Sequence, residues 1–143
     1  VFCEPLALMP DDAPDRRRHI LEGVRLFGCL GVDVLKIQFP ERVEAGAQAW
    51  ADACDEVDAI SPIPWTLLSE GKDFDVFSEV LEVACRSGAS GFLGGRSIWA
   101  DALFEDGDLS ISAGRLDRLG DVVRRTGTRW DDHPAPTGNG GRA

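Results

Sequence analysis

Apolar and polar positions alternate along this chain in two periods that take turns. Residues 1–8, VFCEPLAL, and 33–39, DVLKIQF up to Pro40, read as strands. Two further strands are predicted at 63–71, IPWTLLSEG, and at 90–95, SGFLGG. Between them the spacing turns helical. Ile20, Leu21, Val24, Leu26 and Phe27 predict a helix within 11–31, with Gly28 and Gly31 at its end. The alanine-rich stretch 41–57 predicts a second helix. Asp73 is placed to cap a third, running from Phe74 to about Ser87 with Phe77, Val80, Leu81 and Ala84 as its apolar stripe. Residues 96–104 suggest a short helical turn, and Leu116, Leu119, Val122 and Val123 mark a last helix near 110–126.

Four β-α units in series, about thirty residues each, imply a parallel sheet with right-handed crossovers. Two α/β architectures compete: an open doubly wound sheet, and half of a (β/α)8 barrel. An open sheet is covered on both faces, so its central strands are apolar throughout. A barrel strand sends alternate residues inward. Strand 33–39 alternates in the barrel manner. Leu35, Ile37 and Phe39 face the helices, while Val34, Lys36 and Gln38 face inward, the polar ones towards the C-terminal rim. In strand 1–8 the same parity sends Cys3, Pro5 and Ala7 outward and Phe2, Glu4 and Leu6 inward.

The lysine at the centre of an apolar strand carries the candidate chemistry. Lys36 can be a structural cation paired with Glu4, or a guard on an exposed edge strand. It can also be a nucleophile. An amine surrounded by apolar atoms loses ammonium solvation, and the neutral form attacks a carbonyl to give a Schiff base. Glu4 then holds the amine or shuttles protons. Ser69 and Gly71 follow the third strand, and Gly94, Gly95 and Arg96 follow the fourth. Glycine amides and an arginine fork suit a phosphate, although a plain turn and a surface ion pair account for "GGR" as well. No G-x-G-x-x-G occurs.

Composition narrows the classes. The chain has 143 residues, 43% of them hydrophobic, which suffices for one domain. Its net charge of −10 argues against nucleic acid and anionic membrane as partners. Histidine occurs only at His19 and His133, which leaves little scope for a zinc site, and neither metal nor cofactor is expected. Four scattered cysteines without C-x-x-C suit a reducing, cytoplasmic setting. An apolar strand without lead-in at Val1 suggests that these residues derive from something larger. The tail 131–143, rich in Pro and Gly, is expected to be disordered.

CEPL, DVLKIQFP and PWTLLSEGKDFDVFSEVLEVACRSGASGFLGGRSIW, in that order, resemble the C-terminal half of class I aldolases related to tagatose 1,6-bisphosphate aldolase, including the sulfofructose-phosphate aldolase branch. The likeness covers about residues 1–130. It implies strands five to eight of a TIM-type (β/α)8 barrel, with Lys36 as the Schiff-base lysine and Glu4 as the fifth-strand glutamate. It also implies that Ser69, Gly95 and Arg96 hold the anionic end of a sugar phosphate, with Gly71, Gly94 and Gln38 beside them. The reaction implied is cleavage of a phosphorylated ketose to dihydroxyacetone phosphate and an aldehyde. A non-catalytic half-barrel that binds a sugar phosphate or a protein partner is the alternative. Glu70 departs from the family, which has a small residue there. An open half-barrel edge leads to an expected homo-oligomer.

Overall fold

A computed structural model describes residues 1–101 and 109–133. Four parallel strands, β1 (Phe2–Cys3), β2 (Val34–Ile37), β3 (Trp65–Leu68) and β4 (Phe92–Leu93), lie in chain order across one sheet. Helices α1 (Arg16–Gly28), α2 (Ala47–Ile60) and α3 (Phe74–Arg86) form the crossovers. A short helix α4 (Arg96–Asp101) and α5 (Leu109–Thr126) follow β4. Every strand neighbours the next, without the reversal of a doubly wound sheet. The fold is therefore α/β with a four-stranded parallel sheet, consistent with part of a TIM-type barrel.

The core lies on one side of the sheet. Leu35, Ile37, Phe39, Trp65 and Leu67 are buried there against Leu21, Val24, Trp50, Val57, Phe77, Val80 and Leu81. Phe39 meets Trp50 edge to face with centroids 5.9 Å apart. The other side is open: Phe2, Leu6 and Leu93 are exposed. Parity in β2 follows the sequence expectation, because Leu35 and Ile37 are fully buried while Val34 and Lys36 are only half-buried. Lys36 stands beside Thr66 across the ladder. The alternation persists beyond β1, with Cys3, Pro5 and Ala7 half-buried and Phe2, Glu4 and Leu6 exposed. A Cβ added to Gly23 of α1 would meet Pro5 Cβ at 3.2 Å, so Pro5 packs on the helix side.

Boundaries differ from the sequence reading in places. β1 has two residues rather than eight: Pro5 has no N–H for the ladder, and among the described residues β2 is the only strand beside β1. The helix expected over 41–57 is split. A 3-10 turn at Val43–Ala45 ends at Gly46, whose φ of 87° lies where side chains are disfavoured, and α2 starts at Ala47. Asp73 caps α3 as expected, its carboxylate accepting from the N–H groups of Asp75 and Val76, and the stripe Phe77, Val80, Leu81, Ala84 is fully buried. Leu26 and Leu116 face solvent instead of the core. Residues 131–133 form a turn and bend, and the rest of the expected disordered tail lies outside the described residues. Among the described residues, no helix is long and apolar enough to cross a membrane.

Candidate functional site at the C-terminal rim

Residues that follow the strands gather at their C-terminal ends, and they form two ionic centres. The first is the pair Lys36–Glu4. β2 carries Lys36 to the open face, and the extended chain after β1 brings Glu4 alongside. The Nζ donates to Glu4 Oε2 at 2.8 Å, with side chains 21% and 36% exposed. The amine is thus reachable from the open face and has one carboxylate within proton-transfer distance.

The second centre surrounds Glu70, at the turn after β3. Its side chain is 11% exposed. Oε1 accepts from Arg16 Nη2 at 2.5 Å and from Gln38 Nε2 at 2.8 Å. Oε2 accepts from Lys72 Nζ at 2.8 Å and from the Phe39 N–H at 3.3 Å. Asp11 adds a second carboxylate, 3.3 Å from Arg16 and 3.7 Å from Lys72. Burial alone would raise the Glu70 carboxyl, but the bonds and charges of Lys72 and Arg16 outweigh it and hold its pKa below the ordinary carboxylate value. Arg16 Nη1 is buried with no hydrogen-bond partner among the described residues. The sequence marks Glu70 only as a carboxylate in an awkward place. Only Lys72 is near it in the sequence, and nothing local signals that Arg16, Gln38 and Phe39 join them.

The expected anion loops adjoin this centre. Glu70 has a φ of 54°, the one positive value at a non-glycine among the described residues, and Gly71 follows at 73°. The Arg96 guanidinium lies against Gly71, so close that a Cβ there would meet its Nη2 at 3.2 Å. Arg96 has no ion pair among the described residues. Ser69 is buried and joins the third loop to the fourth, its Oγ accepting from the Gly95 N–H at 3.2 Å. Gly94 is exposed beside it. A cleft of about 520 Å³ opens here, lined in part by Gly71, Lys72, Arg96, Ser97 and Arg115. The structure thus brings Ser69, Gly71, Gly95 and Arg96 together. Gln38 is placed apart from that cleft: its amide is spent on Glu70 and on the Ala7 N–H, which it accepts at 2.7 Å.

The cysteines offer no competing nucleophile in the core. Burial pushes the Cys54 thiol up to about 12 and the Cys85 thiol to about 11.

Comparison with known proteins places this rim in context. Tagatose 1,6-diphosphate aldolase of Staphylococcus epidermidis is 28% identical over 158 aligned positions, covering 84% of this chain and 47% of that protein. Tagatose 1,6-diphosphate aldolase of Streptococcus agalactiae is 29% identical, with 80% and 43% covered. Tagatose 1,6-diphosphate aldolase 1 of Streptococcus mutans is 27% identical, with 79% and 42% covered. The chain spans about half the length of these relatives. The family model described as DeoC/LacD family aldolase matches residues 7–101, a stretch holding Lys36, Ser69, Gly71 and Arg96. Over more than half its length, then, the sequence carries the pattern of one enzyme family, and the chain belongs to the DeoC/LacD aldolases.

Proposed function

We propose that the chain is the C-terminal half of a class I aldolase barrel, its β1–β4 being strands five to eight, and that Lys36 is the Schiff-base nucleophile. One observation carries this reading. Lys36 Nζ stands on the open face of the sheet, partly accessible, 2.8 Å from the Glu4 carboxylate. The helix-facing residues on either side of it, Leu35 and Ile37, are wholly buried, so the strand fixes the backbone from which the amine projects.

The chemistry follows from that pair. Glu4 takes a proton from the ammonium, and the free amine attacks the ketose carbonyl carbon. The carbinolamine loses its hydroxyl as water, with the proton returned by Glu4, and a protonated imine forms. Glu4, a carboxylate again, takes the C4 hydroxyl proton as the C3–C4 bond breaks, the bond's electron pair moves into the imine, and the same proton is available for the enamine. The aldehyde departs, the enamine is protonated, and water releases dihydroxyacetone phosphate from Lys36. The names of the relatives point to tagatose 1,6-bisphosphate, and a sulfofructose phosphate fits the same scheme. Ser69, Gly71, Gly94, Gly95 and Arg96 receive the anionic end. A phosphate oxygen arriving there takes the Gly95 N–H, and the Ser69 O–H, which is the acceptor in that bond, is able to donate to the phosphate as well. Arg96 supplies the bidentate charge. In the working, cytoplasmic enzyme the open face is covered by the other half of the barrel, or by a second copy.

Borohydride reduction with dihydroxyacetone phosphate tests the assignment, since the chain has two lysines, Lys36 and Lys72. Peptide mass spectrometry is expected to find the adduct on Lys36 and to find none in Lys36→Arg. An adduct on Lys72 overturns the assignment. Absence of any adduct favours the alternative, a half-barrel that binds without turnover.

A further inference from the structure

One carboxylate bonds to three of the four loops at the rim. Arg16 opens α1, Gln38 and Phe39 follow β2, and Lys72 lies in the loop of Glu70 itself. The fourth loop is reached through the neighbours of Glu70, because Ser69 accepts from Gly95 and Arg96 lies over Gly71. The connection also runs the other way. Gln38, bonded to Glu70 on one side, holds the Ala7 N–H on the other, and Ala7 lies three residues beyond Glu4. The backbone at Glu70 sits in the left-handed region, which costs a non-glycine residue free energy. An orphan N–H on buried Arg16 is a second local cost. Local propensity alone does not select such an arrangement, and the charges within it nearly cancel: Arg16 and Lys72 against Glu70 and Asp11.

We infer that Glu70 is a positioning residue, whose carboxylate sets the Ser69–Gly71 turn beneath Arg96 and, through Gln38, the segment that carries Glu4 beside Lys36. The inference rests on the anion-site reading above and adds to it the residue that couples this site to the amine. Position and charge give opposite expectations. Simple electrostatics makes Glu70 a repulsive neighbour of any phosphate, so its removal should tighten anion binding. Positioning makes its removal weaken binding, even though a negative charge is lost.

Titration with inorganic phosphate, followed through the Gly71 and Gly95 amide resonances, separates the two. Glu70→Gln keeps the shape and part of the acceptor set. Glu70→Gly removes the carboxylate while relieving the positive φ, which protects the fold. Positioning predicts weaker phosphate binding in both, by about tenfold in the glycine variant and less in the glutamine variant, the scale expected when binding groups are displaced. It also predicts faster hydrogen exchange at Ala7 and Phe39 in Glu70→Gly. Where Arg96→Ala loses phosphate, unchanged or tighter phosphate binding in both Glu70 variants overturns the inference, and unchanged exchange at Ala7 and Phe39 overturns it in every case. Arg96→Ala is run in parallel. If it binds phosphate like the parent while the exchange rates of Glu70→Gly rise, the anion-site reading fails and the loop coupling stands. If Arg96→Ala loses phosphate and the Glu70 variants do not, the coupling alone fails.

Discussion

Lys36–Glu4 and the Glu70 centre lie on the same rim and use the same kinds of group, yet they differ in burial and in partner number. Lys36 has one partner among the described residues and remains partly open to solvent, so its amine can exchange that partner for a substrate. Glu70 has four donors in a site nearly closed to water. Charges buried with several partners act as structure: losing one leaves the others stranded. A half-open pair contributes little to stability and is available for chemistry. The difference shows how a chain separates a scaffold charge from a reactive one while building both from lysine and glutamate.

The strongest way to break the comparison is to delete each carboxylate in turn. Glu70→Ala is expected to lower the unfolding free energy by about 3 kcal/mol, since Arg16 and Lys72 stay buried without their main partner. Glu4→Gln is expected to cost less than about 1 kcal/mol. Urea denaturation of the two variants measures both, and equal costs would erase the distinction.

Acid sharpens it next. The folded chain holds the Glu70 proton less tightly than the unfolded chain does, because its pKa is lowered from the ordinary 4.5. Its contribution is therefore complete above about pH 4.5 and is lost as pH falls through the lower folded value. Stability against pH in Glu70→Gln should lose this acid-side slope. A curve parallel to that of the parent would mean that the carboxylate contributes no such linkage.

The smallest effect is expected at the amine. Lys36→Met should leave the unfolding free energy within about 1 kcal/mol of the parent, because Glu4 is exposed enough to be solvated alone. A loss as large as that of Glu70→Ala would make Lys36 a structural cation.

Side-chain parity was legible from sequence alone. A period of two along Leu35, Lys36 and Ile37 leaves one arrangement that buries both aliphatic residues, and the same logic placed Glu4 next to the lysine. The cap at Asp73 was legible because its side chain answers amides two and three residues away. Strand lengths were not, since ladder bonds depend on a neighbour that local sequence does not contain. Pro5 and the short β4 show how early pairing stops. Gly46 was hidden within an alanine-rich run, and only its φ shows that it breaks the helix. The Glu70 cluster was illegible for another reason. Its partners come from positions 16, 38, 39 and 72, and no local pattern announces that they converge. Leu116 failed because α5 packs on α3 and α4, and the face that buries Leu119 and Val122 leaves Leu116 outward.

The two-residue period of β2 has a genetic corollary. Removing one codon between Val34 and Ile37 would rotate every later side chain of the strand to the opposite face. Loss of the Leu35 codon, for example, would put the Lys36 ammonium on the helix side, where Leu35 now packs among buried apolar groups, and would turn the sec-butyl group of Ile37 out to the open face. A single-residue deletion in this stretch therefore damages core and reactive amine together.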